Sequence, residues 1–229
     1  MGFQTSVNIM PAYAVAGDFS SANPRASVVV GQGAFVAGTG GATIGNFGWT
    51  DSTNTLVTNA GSGAPRGFIA NEMQGQIPFG SESSLTINAG FPVTLFSEGD
   101  FWVKTLTAAT VGQKVFADHN TGAAATGAAG TPPSTFVGTA SFATNVMTVT
   151  AVTSGAIKVG DYVTSAGVAA GTTVVSLGTG TGGTGTYNLS SSPGTLAAQA
   201  ATTTSYEETK WYVSNAASAN ELIKITSWN

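Results

Sequence analysis

Residues 90–104 read GFPVTLFSEGDFWVK, and the rest of the chain is interpreted around this stretch. β-Branched and aromatic residues at 92–96 predict one strand, residues 97–100 have the chemistry of a turn, and residues 101–103 begin a second strand. The stretch therefore predicts a hairpin. A period of two places large apolar side chains on both faces, with Val93, Leu95, Phe101 and Val103 on one and Phe96 and Trp102 on the other. We expect other parts of the protein to pack against each face.

The rest of the chain contains further strand patterns and almost no helix pattern. Short β-type runs are bounded by Gly, Asn, Ser or Pro at residues 27–30, 43–49, 66–70, 74–79 and 85–88. Their even spacing is typical of a sandwich or a barrel. The predicted fold is therefore all-β, with a barrel or jelly-roll-like main domain and a small inserted β domain.

The division of the chain follows from shifts in composition. Residues 1–25 mix Pro and Gly with polar residues, which suits an extended N-terminal arm. Residues 122–133 are uncharged, rich in Gly and Ala and end in two prolines, which is typical of a flexible linker. Residues 134–202 then predict a small inserted β domain, so that the main domain comprises residues 26–133 and 203–229. Alternation predicts an inserted core of Phe136, Phe142, Val146, Val149, Val152, Val163, Val174, Leu177 and Leu189.

Charge and composition exclude several classes of function. Charged residues make up 8% of the 229 residues, the net charge is −4, and the seven Lys and Arg are scattered singly. Such a chain lacks the basic field that holds nucleic acid, so we expect no nucleic-acid partner. It has no Cys, which excludes disulfides and thiol chemistry. We expect no export signal and no membrane partner, because the early apolar run at residues 26–37 is broken by glycines.

The residues that usually perform catalysis or hold metals are scarce. His119 is the only His, and its neighbours at residues 117–121 form no nucleophile motif, so we predict a solvated loop side chain. Zinc sites need several His or Cys residues. Glu98 and Asp100 lie around a turn, which gives no reason for the separation that a glycosidase pair requires. The sequence therefore predicts no catalytic residue, no metal ligand and no enzymatic activity.

Two glycine patterns have plain structural interpretations. Gly precedes Asp and an aromatic residue at positions 17, 99 and 160, which favours a turn before a buried strand over Ca²⁺ binding. Gly178, Gly180 and Gly183 match the spacing of a dinucleotide-binding loop, but a strand-like segment follows them where that site requires a helix. We interpret this run as a flexible hairpin tip, and we predict no cofactor.

Three segments carry a resemblance to a known family: residues 91–104, AGDFSSANPR at residues 16–25, and ETKWYV at residues 208–213. In this order they resemble the structural cement, or decoration, proteins of tailed bacteriophage capsids. The resemblance covers most of residues 1–130 and 203–229. It implies a non-enzymatic virion protein, made in the host cytoplasm, that binds the outside of the capsid and joins neighbouring major capsid subunits. The inserted segment looks like a Gly- and Thr-rich module of phage tail and surface proteins.

The implied partner is the major capsid protein. The arm has few features that fold alone, so its ordering must be stabilised by a partner surface. Sparse charge leaves strand edges poorly guarded, so we also expect a homo-oligomer, and the resemblance to the cement proteins favours a dimer over a trimer. For Trp102 and Trp211, which could lie in an interface or in the core, we favour the core. The predicted interface residues are Phe3, Val7, Ile9, Tyr13, Val15, Phe19 and Arg25.

A second class of function stays open, in which the chain is a tail or surface adsorption module. In that case the inserted segment would bind glycans on a cell surface, with Tyr162 and Tyr187 as stacking platforms on the outer surface. Copy number separates the two classes. A cement protein is present in numbers comparable to the major capsid protein, whereas a tail protein is present in a handful of copies.

Overall fold

A computed structural model describes residues 14–72 and 85–228 of the chain. These residues form nineteen strands and no helix, so the prediction of an all-β fold is confirmed. No helix capable of crossing a membrane is therefore found among them. The predicted strand at residues 74–79 lies outside the described residues.

The strands up to residue 127 are β1 Ala26–Ser27, β2 Val36–Ala37, β3 Ala42–Thr43, β4 Phe47–Thr50, β5 Leu56–Thr58, β6 Gly67–Ile69, β7 Thr86–Ile87, β8 Leu95–Glu98, β9 Asp100–Lys104, β10 Lys114–Asp118 and β11 Ala124–Gly127. The later strands are β12 Phe136–Ala143, β13 Val146–Gly155, β14 Tyr162–Ser165, β15 Val174–Leu177, β16 Gly185–Leu189, β17 Leu196–Thr204, β18 Tyr206–Val213 and β19 Leu222–Thr226.

Two sheets form a sandwich from the first and last parts of the chain. One has the strand order β1-β8-β6-β4-β5-β2, and the other has the order β11-β10-β18-β19-β9. Large apolar residues from both sheets fill the space between them, among them Phe47, Phe68, Phe101, Trp211 and Ile223. A second core, which includes Phe35, Ile44, Val57, Ile69 and Leu95, covers the opposite face of the six-stranded sheet. That sheet is therefore buried on both faces, as the three fully buried residues of β6 illustrate.

The hairpin predicted at residues 90–104 is wrong, because its two strands belong to different sheets. β8 pairs with β1 and β6, whereas β9 pairs with β19. The single residue between them is Gly99, whose φ of 138° lies in a region that other residues rarely adopt. The chain turns there from one sheet of the sandwich into the other, as strands do at the corners of packed sheets. Phe96 and Phe101, predicted on opposite faces, therefore meet in one core with ring centroids 5.4 Å apart.

A third sheet contains all the strands between residues 136 and 204, in the order β14-β17-β12-β13-β16-β15. Its first and last strands also meet, because Val163 donates its N–H to the Thr172 carbonyl at 2.8 Å and Val174 donates to the Asp161 carbonyl at 2.9 Å. The sheet therefore closes on itself, and we call it the closed sheet. Its interior contains Phe136, Ala140, Phe142, Met147, Val149, Ile157, Val163, Val174, Tyr187, Leu189 and Ala201.

Two residues predicted in this interior are largely exposed. Val152 is 40% exposed and Leu177 is 44% exposed. β13 pairs with β16 only as far as Val149, opposite Gly185, so its residues from 150 onward extend beyond the neighbouring strand and the interior. Strict alternation wrongly predicts a buried Val152, because β13 extends beyond the core that it helps to enclose.

The segment at residues 122–133 is not a flexible linker along its whole length. Residues 124–127 form β11, which pairs with β10, and Ala124 and Ala125 are fully buried. Small side chains let this edge strand lie close to its neighbours in the core between the sheets. At the other end of the closed sheet, Ser205 alone separates β17 from β18. The connections to the closed sheet are therefore short and ordered on the C-terminal side.

Candidate functional site

The N-terminal segment that the structure describes runs along the free edge of β9. Gly17 donates its N–H to the Trp102 carbonyl at 2.7 Å, and the Trp102 N–H donates to the Asp18 carbonyl at 2.8 Å. The Ser20 N–H donates to the backbone carbonyl of Asp100 at 3.0 Å. These bonds satisfy backbone groups that an edge strand would otherwise present to other chains. This part of the predicted arm is thus paired with its own fold.

Phe19 and Arg25, two of the predicted interface residues, also contact their own chain. The Phe19 ring packs against Phe96 and Phe101 at centroid distances of 5.6 and 5.5 Å, and the Arg25 guanidinium carbon lies 3.8 Å from the Phe19 centroid. Val15 is 44% exposed. Phe3, Val7, Ile9 and Tyr13 lie outside the described residues. The structure therefore brings Phe19 and Arg25 together, but at the base of the segment and against the core.

The Asp100 carboxylate stabilises the turn that follows this segment. Its Oδ2 accepts hydrogen bonds from Ser21 Oγ and Asn23 Nδ2, each at 2.6 Å. Burial alone would raise the pKa of Asp100, but hydrogen bonds from Ser21, Thr226 and Asn23 outweigh it and lower the pKa. The carboxylate consequently stays ionised below the usual range of an Asp, and the turn is held to β9 down to acidic pH.

A buried His–Asp pair joins the sandwich to the closed sheet. His119 Nε2 lies 3.8 Å from Asp161 Oδ1, and the two side chains are 7% and 0% exposed. The prediction that His119 is a solvated loop residue is wrong, because its side chain is buried against Gly160, Asp161 and Tyr162. Gly160 makes the approach possible, since a Cβ there would lie 3.0 Å from His119 Nε2. Closed off from solvent, the pair leaves no open position for a substrate.

The other oxygen of Asp161 organises the start of β14. It accepts hydrogen bonds from the Lys158 N–H at 3.0 Å, Thr203 Oγ1 at 3.0 Å and Thr135 Oγ1 at 3.3 Å. Burial raises the pKa of Asp161, although these donors and His119 act in the opposite direction. One carboxylate therefore links both ends of the closed sheet, the turn before β14 and the sandwich. Sequence reasoning predicted only the turn at Asp161 and missed its contacts with Thr135, Thr203 and His119, because these partners lie far apart along the chain.

The two tyrosines predicted as outer-surface contacts have different positions. Tyr187 is fully buried, and its hydroxyl accepts a hydrogen bond from the Gly182 N–H at 2.9 Å and donates one to the Gly183 carbonyl at 2.7 Å. The prediction that Tyr187 is a surface stacking platform is therefore wrong. The glycine-rich run wraps over this ring, and a Cβ at Gly180 would overlap it. The run therefore packs closely over the tyrosine ring, whereas the sequence pattern predicts a flexible hairpin tip.

Tyr162 is half-buried at the junction between the closed sheet and the sandwich. Its hydroxyl donates a hydrogen bond to a carboxylate oxygen of Glu207, and its ring lies edge-on to His119 at a centroid distance of 6.2 Å. Burial and the Glu207 carboxylate raise the pKa of Tyr162 to about 12. The phenol is therefore neutral and a hydrogen-bond donor throughout the physiological range.

Tyr162 also lines a groove of about 400 Å³ that is formed where the sandwich and the closed sheet meet. Tyr206 and the carboxylates of Glu207 and Glu208 line the same groove, and Phe116 forms part of its floor. Burial and the nearby Asp118 raise the pKa of Tyr206. The groove is consequently acidic and aromatic. Neither in this groove nor elsewhere in the described ranges is a group of three or more His, Asp or Glu side chains placed to hold a metal ion.

Comparison with known proteins gives the family. A family model described as XM1 gp53 minor capsid protein matches residues 3–177, which is more than half of the chain. A comparison with curated proteins finds no match. The family is one of structural proteins of phage virions. The chain belongs to the XM1 gp53 minor capsid protein family, and it is a capsid-associated structural protein of a phage virion.

Proposed function

We propose that this protein is a cement protein, which binds the outside of the capsid and joins neighbouring major capsid subunits without enzymatic activity. The observation that supports this proposal best is the placement of two features at opposite edges of the five-stranded sheet. Residues 17–20 cover β9 at one edge, and β11 at the other edge leads into the closed sheet. With strands about 4.8 Å apart, these edges are separated by roughly 20 Å. One end of the protein is then available for the capsid while the other faces outward.

The N-terminal arm provides the proposed capsid contact. The described chain begins at Ala14 beside the β9 edge, so residues 1–13 are attached there. Phe3, Val7, Ile9 and Tyr13 would contact a neighbouring major capsid subunit, with the exposed Val15 beside them. Phe19 and Arg25 would anchor the arm at its base, because they are already packed on the sandwich. We keep the expectation that copies associate, as dimers in preference to trimers.

Deletion of residues 1–13 should lower the occupancy of the protein on particles while leaving its thermal unfolding unchanged. The reason is that residues 14–25 keep their bonds to β9 when the first thirteen residues are removed. Occupancy is measured by adding purified protein to particles that lack it. A full-length variant with Ser at positions 3, 7, 9 and 13 controls for chain length and should behave like the deletion. Undiminished occupancy of both variants would contradict the proposed role of the arm.

We also propose that residues 134–202 are an inserted domain on the outer surface of the head, dispensable for attachment. Its ends are adjacent, because Thr135 donates its N–H to the Thr203 carbonyl at 2.8 Å. A short Gly-Ser linker can therefore bridge the gap without moving β11 or β18. The replacement should leave particle occupancy near the wild-type level and alter only adhesion to surfaces. All four Trp residues lie outside the segment, so their fluorescence shows whether the sandwich still folds. Loss of particle binding by a folded variant would refute this proposal.

The junction groove favours a second candidate function, adsorption to a glycan. Tyr162 and Tyr206 supply half-buried rings and Glu207 supplies a carboxylate, which together are the groups that contact sugars. Tyr187 has no part in this alternative, because it is buried. Under this proposal the linker replacement abolishes adhesion to cells. A chain present in only a handful of copies per virion would favour adsorption over cementing.

A further inference from the structure

Lysines are concentrated on one sheet of an otherwise acidic protein. Four of the five lysines of the chain lie on the five-stranded sheet: Lys104 on β9, Lys114 on β10, Lys210 on β18 and Lys224 on β19. The core between the sheets takes the alternate residues of β9 and β19, which are Phe101, Val103, Ile223 and Ile225. Trp102, Lys104 and Lys224 consequently lie on the outer face. The same sheet also carries four carboxylates, Asp100, Asp118, Glu207 and Glu208, so positive charge is in excess only on β9 and β19, where Lys104 and Lys224 stand against Asp100.

Aromatic rings lie beneath two of these amines. Lys224 Nζ is 5.0 Å from the centroid of Trp102, and Lys114 Nζ is 3.9 Å from that of Tyr212. Trp102 is only partly buried, so the expectation that it belongs to the core is wrong, whereas Trp211 is a core residue. The outer face therefore combines ammonium groups with large rings that remain partly open to solvent. Rings of this kind dominate the energetics of protein interfaces.

Two of the lysines are not neutralised within the protein. The register of β9 and β19 pairs Lys104 with Leu222 and Trp102 with Lys224, so the two lysines are diagonal neighbours about 7–8 Å apart. In the described part of the chain no carboxylate lies within ion-pair distance of either one, whereas Lys114 and Lys210 each have a glutamate partner. Asp100, on the same face, is already held by Ser21 and Asn23. Like charges at this spacing repel each other, and an anionic surface from outside would relieve that repulsion.

We propose that the outer face formed by Trp102, Lys104, Tyr212 and Lys224 docks against a carboxylate-bearing surface of a shell protein of the virion. This inference rests on the proposed function and adds the chemistry of the partner. Protein is favoured over nucleic acid, because two lysines without a carboxylate partner provide few phosphate contacts, while the partly exposed rings of Trp102 and Tyr212 provide apolar area. Charge complementarity then gives specificity and rapid association. Trp102 lies on β9, and residues 17–20 cover the edge of that strand. The outer face and the N-terminal arm are therefore next to each other, at the β9 side of the sheet.

A pair of matched charge reversals tests the proposal. The test variant is Lys104→Glu with Lys224→Glu, and the control is Arg66→Glu with Lys158→Glu. All four side chains reach solvent, and Arg66 and Lys158 lie off this face, so both variants change the net charge equally. Binding is measured on particles that lack the protein, with circular dichroism and Trp fluorescence to confirm folding. The test variant should bind roughly tenfold or more weakly, the control within about twofold of wild type, and added salt should weaken wild-type binding.

The outcomes distinguish this inference from the proposed function. If the wild type binds particles and both double variants bind equally well, the face is not the docking surface, although the function stands. If folded wild-type protein does not bind particles at all, the proposed function itself fails. Carbodiimide cross-linking on particles provides a second measurement, because it joins amines to carboxylates in contact. Cross-links from Lys104 or Lys224 to a shell protein support the proposal, whereas cross-links from Lys158 alone, or retention of the protein on double-stranded DNA through this face, overturn it.

Discussion

Replacing Asp161 with alanine should lower the free energy of unfolding by about 3 kcal/mol. The carboxylate is fully buried, and its Oδ2 accepts three hydrogen bonds, from Lys158, Thr203 and Thr135. Alanine would leave those donors unsatisfied and would leave His119 without its partner. Urea denaturation followed by circular dichroism measures the loss. Glu98→Ala is the matched control, since it removes a partly exposed carboxylate paired with Lys210 and should change stability by less than about 1 kcal/mol.

Asp161→Asn separates the hydrogen bonds from the charge. An amide oxygen in the Oδ2 position can keep the three donors, so this variant should stay close to wild type at neutral pH. Because burial raises the pKa of Asp161, its contribution to stability is complete below the usual value of 3.8 and is lost as the pH rises through the folded-state pKa. Asparagine has no such proton, so this decline with rising pH should disappear. Equal stability of the Ala variant and the wild type would show that the junction does not depend on this carboxylate.

Replacing Phe101 with alanine should destabilise the sandwich by about 4 kcal/mol. The ring is fully buried and lies 4.8 Å from Phe68, 5.4 Å from Phe96 and 5.5 Å from Phe19, measured between centroids. Its loss opens a cavity between the sheets and removes the ring against which Phe19 packs. Trp fluorescence during urea denaturation reports the effect, because every Trp lies in or beside the sandwich.

Val111→Ala serves as the control for Phe101→Ala, because Val111 is 67% exposed and its truncation should cost less than about 0.5 kcal/mol. Limited proteolysis adds a second readout. The Phe101 variant should be cut near residues 14–25 earlier than wild type, since that segment packs on the missing ring. A change of less than about 1 kcal/mol would mean that the surrounding rings close the cavity.

Local patterns predicted the class of fold and failed where a strand's partner is distant in sequence. Residues 95–98 and 100–104 have the composition of two strands around a turn, and both strands exist. A hairpin and a crossing between sheets look alike over fifteen residues, because the choice depends on whether β9 pairs with β8 or with β19, more than a hundred residues later. The positive φ of Gly99 fits either outcome.

The candidate site was less predictable than the fold. Tyr187 and Tyr162 have similar strand contexts, yet one is a buried core residue and the other borders a groove. The glycines that enclose Tyr187 were the available signal, since small residues beside a large ring permit close packing. The Gly-Asp-aromatic pattern predicted the turn at Asp161 but not its contact with His119, because a buried polar pair depends on two segments that meet only in the folded chain. The lysines of the outer face follow the strand alternation, but their clustering appears only once β9 and β19 are paired.

The single-residue connection at Ser205 has a mechanical consequence. A tether of one residue has no slack, and the His119 N–H is bonded to the Ser205 carbonyl at 2.8 Å. Tension on the closed sheet, such as drag in flowing medium, is therefore transmitted straight into β18 along the strand axis. The bonds between β18 and β10 lie across that axis, so they are loaded in shear and share the force instead of opening one after another. The geometry therefore resists a pull on the closed sheet whenever the sandwich is held in place.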